Sequence, residues 1–91
     1  MIWIKNLKRR VINLNKLKLK EYSVDKLIYL YQPEGTGEYG EIMYSIETGK
    51  TEVLKRSSND ESGRYSRMAE KKVRDCYNTN NLPLECIQAW Y

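Results

Sequence analysis

The sequence predicts an α+β fold: a three-stranded antiparallel meander packed by an amphipathic C-terminal helix, with an N-terminal basic helix or extended segment. Three observations predict it. Residues 26–56 (KLIYLYQPEGTGEYGEIMYSIETGKTEVLKR) hold three short runs rich in Ile, Leu, Val and Tyr, separated by a Gly/Pro loop and a Thr-Gly turn. Residues 61–78 repeat apolar side chains at helical spacing. The chain has 91 residues, enough for one small domain (1–91) with a thin core.

Taken in order, residues 1–20 form a basic segment. Ile4, Leu7, Val11 and Leu14 fall 3, 4 and 3 apart, which is one helical stripe and predicts a helix over about Ile2–Asn15. Ile12, Leu14, Leu17 and Leu19 alternate with Asn and Lys as a strand would, and Asn13 and Asn15 are poor helix-interior residues. A helix passing into an extended Leu17–Tyr22 segment satisfies both patterns. In the meander, Leu27, Tyr29 and Tyr31 alternate with Ile28 and Leu30. Both faces are apolar, so this strand is expected to be central or covered on both sides. Pro33 ends it, since proline donates nothing to a ladder. Gln32–Tyr39 is the loop. The second strand, Gly40–Ile46, puts Ile42, Tyr44 and Ile46 on one face. Glu47–Lys50 is a hairpin turn with Gly49 suited to a left-handed backbone. The third strand is Thr51–Arg56.

Ser58 and Glu61 have the spacing of a capping box and predict a helix from about Glu61 to Asn78. Tyr65, Met68, Ala69, Val73, Cys76 and Tyr77 form its apolar stripe. Asn78–Asn81 stops it. Residues 82–91 are an apolar tail expected to pack back onto the sheet or helix. The N-terminal segment is expected to cover the second face of the meander or an edge; otherwise a homodimer does.

Charge and composition exclude several functions. Net charge is +4, yet residues 1–20 hold seven cations and no acid, leaving −3 on residues 21–91. No continuous apolar stretch supports a signal peptide or a bilayer span, which requires about 20 residues. The expected location is therefore cytoplasmic, with no membrane association. The nine residues between Cys76 and Cys86 allow a disulfide on loop length alone, while two Cys without a secretory signal more often mean two reduced thiols; Cys76 falls on the apolar stripe of its helix. With no His and two Cys, one chain makes no zinc site, so no metal and no cofactor are expected. A Ser or Cys nucleophile lacks its commonest base, and no acid pair stands out. The expected protein is not an enzyme. Its composition, rich in Lys, Asn, Ile and Tyr and free of His, suits an AT-rich bacterial or phage genome.

Gly35-Thr-Gly-Glu-Tyr-Gly40 matches G-x-G-x-x-G. In a dinucleotide fold this motif opens a helix; here it opens a strand, which excludes that use. Strand, glycine loop, strand resembles the nucleotide loop of protein kinases. Tyr39, Ile42, Thr48-Gly49 and Val53-Leu54-Lys55 fall where that family has an aromatic, an apolar residue, a turn and the lysine strand. Glu70 stands where the lysine's glutamate partner lies. The resemblance covers residues 27–73 and implies nucleotide binding at Gly35–Gly40. The chain lacks HRD-like and DFG motifs and a second lobe, so it is no working kinase. Glu34, Glu38 and Glu41 ring the loop and oppose an anion.

Three functions follow as expectations. The first is a protein-interaction module, an adaptor or inhibitor, using a Tyr-rich surface of Tyr29, Tyr31, Tyr44, Trp90 and Tyr91 toward a protein partner or a second copy. The second is non-specific nucleic-acid binding through Trp3, Lys5, Lys8, Arg9, Arg10, Lys16, Lys18 and Lys20. The third is nucleotide binding at the glycine loop.

Overall fold

The structure, a computed structural model, describes residues 12–90. The elements are β1 (Asn13–Tyr22), β2 (Lys26–Pro33), β3 (Gly40–Ser45), β4 (Thr51–Lys55), α1 (Arg64–Asn78) and β5 (Glu85–Trp90). They form a small α+β fold with a five-stranded antiparallel sheet in the order β4-β3-β2-β1-β5. The expected meander β2-β3-β4 is present, and two further strands extend it. The three-stranded expectation is thus an undercount.

Both additions come from segments with weak periodicity. Residues 13–15, expected at the end of a helix, belong to β1. Its Asn15, Leu17 and Leu19 point toward α1, and Leu17 and Leu19 pair with Tyr31 and Tyr29 of β2. The strand pattern at Leu17 and Leu19 outweighs the helical stripe because β2 offers a free edge and a buried face. The rest of the predicted basic helix lies outside the described residues. The apolar tail is β5, pairing along β1 from Asn13↔Trp90 to Lys18↔Glu85.

β2 is the middle strand, as its two apolar faces require. Leu27, Tyr29 and Tyr31 lie in the core with Leu17, Ile42, Tyr44, Ala69 and Val73. On the opposite face Ile28 is still only 7% exposed. β3 alternates as expected, with Ile42 and Tyr44 buried and Glu41, Met43 and Ser45 half-buried. Gly49 turns with φ 71°, in the left-handed region.

α1 begins at Arg64 rather than Glu61, after Gly63 at the N-cap. The Ser58/Glu61 capping box does not form. Asp60 takes its place from outside the helix: its carboxylate accepts the Tyr65 N–H (3.1 Å) and the Ser66 N–H (2.9 Å). These are first-turn donors that would otherwise be orphaned. Ser66, Ala69, Val73 and Cys76 face the sheet. The helix stops in a Schellman arrangement: Asn81 N–H donates to Cys76 O and Asn80 N–H to Tyr77 O, with Asn80 at φ 56°.

Candidate functional site

The fold redistributes the expected surface residues. Tyr29, Tyr31 and Tyr44 are buried, so they are core rather than interface. The reason is the sheet order. β1 closes the free edge of β2, and α1 covers the face these rings share. Their hydroxyls find partners inside: Tyr29 donates to Pro83 O at 2.6 Å and Tyr31 to Asp60 Oδ2 at 3.0 Å. Burial pushes both phenols up to about 12. Tyr31 Oη also accepts the Ser57 N–H at 3.0 Å, so strand, loop and helix start share one buried polar knot. Trp90 is half-buried, its ring 5.4 Å from that of Tyr65 in an edge contact. Tyr91 lies outside the described residues.

The basic candidates divide similarly. Trp3, Lys5, Lys8, Arg9 and Arg10 lie outside the described residues. Lys16 and Lys18 sit on the sheet face opposite α1, paired in register with Gln32 and Leu30. Lys20 occupies a β-bulge and its Nζ lies 3.1 Å from Glu41 Oε2. On the β5 side Lys16 lies opposite Ile87 and Lys18 opposite Glu85, so the two are spread along a strand among mixed neighbours, and the third is paired with an acid.

The glycine loop answers to packing. Gly35 and Gly37 have φ of 70° and 81°. Gly40 is required by contact: a Cβ there would meet the Tyr31 ring and stand 2.7 Å from Lys55 O. The loop is fastened from within by Gln32 Nε2 donating to Gly37 O at 2.7 Å and Asn59 Nδ2 to Thr36 O at 3.1 Å. Glu70 accepts from the Thr51 hydroxyl at 2.7 Å. No Lys55–Glu70 ion pair is present among the described residues. Cys76 and Cys86 are free thiols, and burial raises the pKa of each. Among the described residues no group of three His, Cys, Asp or Glu side chains gathers to hold a metal, and no helix is long and apolar enough to cross a membrane.

What the structure adds is the contrast between the two sheet edges. β4 carries Glu52 and Lys55 between Lys50 and Arg56, charges of the kind that keep an edge from pairing. β5 reads Glu-Cys-Ile-Gln-Ala-Trp: after Glu85 it has no charge and no proline. Leu19 N–H donates to Leu84 O at 2.8 Å, which fixes the alternation. Cys86, Gln88 and Trp90 turn their backbone groups toward β1, and Glu85, Ile87 and Ala89 turn theirs to the outer edge. Beside them Ile87 is 58% and Leu84 74% exposed. The strand itself is held firmly. Gln88 Nε2 donates to Met68 O at 2.7 Å, and Asn15 Nδ2 donates to Gln88 Oε1 at 3.2 Å and to Tyr65 O at 3.0 Å. The sequence displayed this edge only as an apolar tail. The missing signal was that its six residues alternate inward and outward without alternating in polarity. No family model, curated protein or solved structure matches the chain.

Proposed function

We propose that the chain is a small, non-enzymatic protein-interaction module whose interface is the open edge of β5, and that its partner is a second copy of itself. The asymmetry of the edges carries this reading: charge guards β4, while among the described residues nothing beyond Glu85 at its start guards β5. An unguarded edge with exposed apolar side chains takes up another strand, gaining main-chain hydrogen bonds and apolar burial together. Antiparallel pairing about a two-fold axis suits this sequence. It sets the two copies of Glu85, the one charge in β5, at opposite ends of the junction and brings the two copies of Ile87 near the axis. The absence of His from the sequence and the raised pKa of both thiols, Cys76 buried and Cys86 half-buried, support a non-enzymatic role.

Sedimentation velocity on the full chain between about 1 μM and about 1 mM tests it, a range that spans weak to moderate affinity. The expected result is a concentration-dependent dimer. Ile87→Lys puts a charge in the middle of the edge and is expected to restore the monomer with an unchanged monomer Tm, because Ile87 is exposed. A parent that stays monomeric throughout, or a variant that dimerises as tightly as the parent, overturns the reading.

A further inference from the structure

The outer surface of α1 carries a feature that the edge of β5 does not use. Arg64, Arg67, Lys71 and Arg74 follow one another at intervals of 3, 4 and 3 residues. That spacing aligns them on the side of the helix opposite the buried Ala69 and Val73. The row is about 15 Å long, with a cation every 4.5–6 Å of axial rise. The described ion pairs, Lys20–Glu41 and Lys26–Glu21, both lie on the sheet, and none involves this row. The helix's two acids offset it only in part. Glu70 is turned aside to the Thr51 hydroxyl, and Asp75 makes no ion pair among the described residues.

The placement also runs against helix stability. Arg64 and Arg67 stand at the positive end of the helix dipole, and the first turn itself holds no acid, the Asp60 carboxylate that caps it being buried beneath. The guanidinium groups of Arg67 and Arg56 converge beside Gly63, within 3.5 Å and 3.9 Å of the position a Cβ would take there. Like charges gathered and aligned in this way favour a partner with a regular line of negative charge.

We infer that this row is a docking surface for the sugar-phosphate backbone of duplex nucleic acid. Three chemical arguments choose that partner. A duplex offers closely and regularly spaced phosphates along a rigid path, as the rigid row requires. An anionic membrane would need the apolar side of α1 to enter the interface, and that side is buried on the sheet. Single-strand binding relies on aromatic platforms, but the aromatics of α1 are occupied. Tyr65 donates to Glu34 at 2.5 Å and Tyr77 packs on Tyr44 with ring centres 5.0 Å apart. Contacts of this kind position a backbone and read no sequence.

The test is fluorescence anisotropy of the full chain with a random-sequence duplex DNA. Four phosphate contacts predict that affinity falls about 150-fold between 50 mM and 200 mM salt. The triple variant Arg67→Gln, Lys71→Gln, Arg74→Gln is expected to lose most of that dependence, retaining a drop of about 3- to 4-fold. Lys71→Arg is expected to bind as the parent does. Arg67 and Lys71 are exposed and Arg74 is half-buried, and an unchanged Tm shows that the triple variant is folded. Binding that survives the triple substitution assigns the contacts to other cations, including those of residues 1–20, and overturns the proposal. So does the absence of binding at 50 mM salt, tighter binding to an oligo-dT single strand of equal charge, or equal binding to polyglutamate.

Discussion

Asp60 performs the capping that the sequence assigned to its neighbours Ser58 and Glu61. It is 1% exposed and accepts three hydrogen bonds, from the Tyr31 hydroxyl and from two helix-start N–H groups. Removing a buried acceptor orphans all three donors. Asp60→Ala is therefore expected to cost about 2–3 kcal/mol in chemical denaturation. Ser58→Ala and Glu61→Ala, which remove the expected capping pair, should each stay within about 0.5 kcal/mol; the reverse ranking would return the cap to them. Three phenols give a second test. The pKa of Tyr29 and Tyr31 is raised by burial to about 12, and that of Tyr65 by its hydrogen bond to Glu34, also to about 12. An unfolded tyrosine titrates near 10. Below that pH both states hold the proton and the stabilisation is complete. Between about 10 and 12 the unfolded chain releases protons that the folded chain keeps, so stability falls as pH rises. Thermal melts over this window should show a falling Tm, and Glu34→Gln should bring Tyr65 back toward 10 in an absorbance titration. A Tm that stays level across the window would contradict these buried hydroxyls.

Gly40 shows at the element scale how a familiar pattern can arise from packing. Its motif resembles a phosphate loop, yet its lack of a side chain is explained by the Tyr31 ring and the Lys55 carbonyl. Gly40→Ala is expected to destabilise the fold by about 1–3 kcal/mol, since strand and ring must part; a change below about 0.5 kcal/mol would leave the glycine unexplained by packing. The elements that local pattern could reveal were legible. β2 announced itself as central by two apolar faces, β3 and the body of α1 by clean periods, and the β3–β4 turn by Gly49. β1 was only half legible, because Leu14 closes the helical stripe of Ile4, Leu7 and Val11 and also belongs to the strand-like alternation of Ile12, Leu14, Leu17 and Leu19, and the choice depends on the free edge of β2. β5 was not legible as a strand. Its inward Cys86, Gln88 and Trp90 and outward Glu85, Ile87 and Ala89 mix polar and apolar on both sides, and its partner strand lies at the other end of the sequence. The candidate edge inherits that obscurity. The tyrosines misled for a related reason: a ring with a hydroxyl suits a surface, unless Pro83 O or Asp60 waits inside the fold, which only the tertiary structure reveals.

The sheet order has a kinetic consequence for the whole molecule. β1 to β4 pair with their neighbours in sequence through short connections, so their contacts close cheaply. β5 pairs Cys86 with Leu17 across almost the entire chain, and only after α1 has crossed the sheet. Entropy therefore favours a transition state in which β2, β3 and α1 have met around Ile42, Tyr44 and Val73 while β5 is still free. Two substitutions separate these stages. Ile42→Val removes one methylene from the centre of the core and is expected to slow folding, with a φ-value above about 0.5. Trp90→Ala removes the edge contact with Tyr65. Its cost is expected to appear almost wholly as faster unfolding, with a φ-value below about 0.3. Stopped-flow chevrons, taken at a concentration where the chain is monomeric, measure both. A high value at Trp90 would mean that β5 docks before the barrier. The open edge would then be completed early in folding, instead of being the last strand added and the one left exposed for another strand to join.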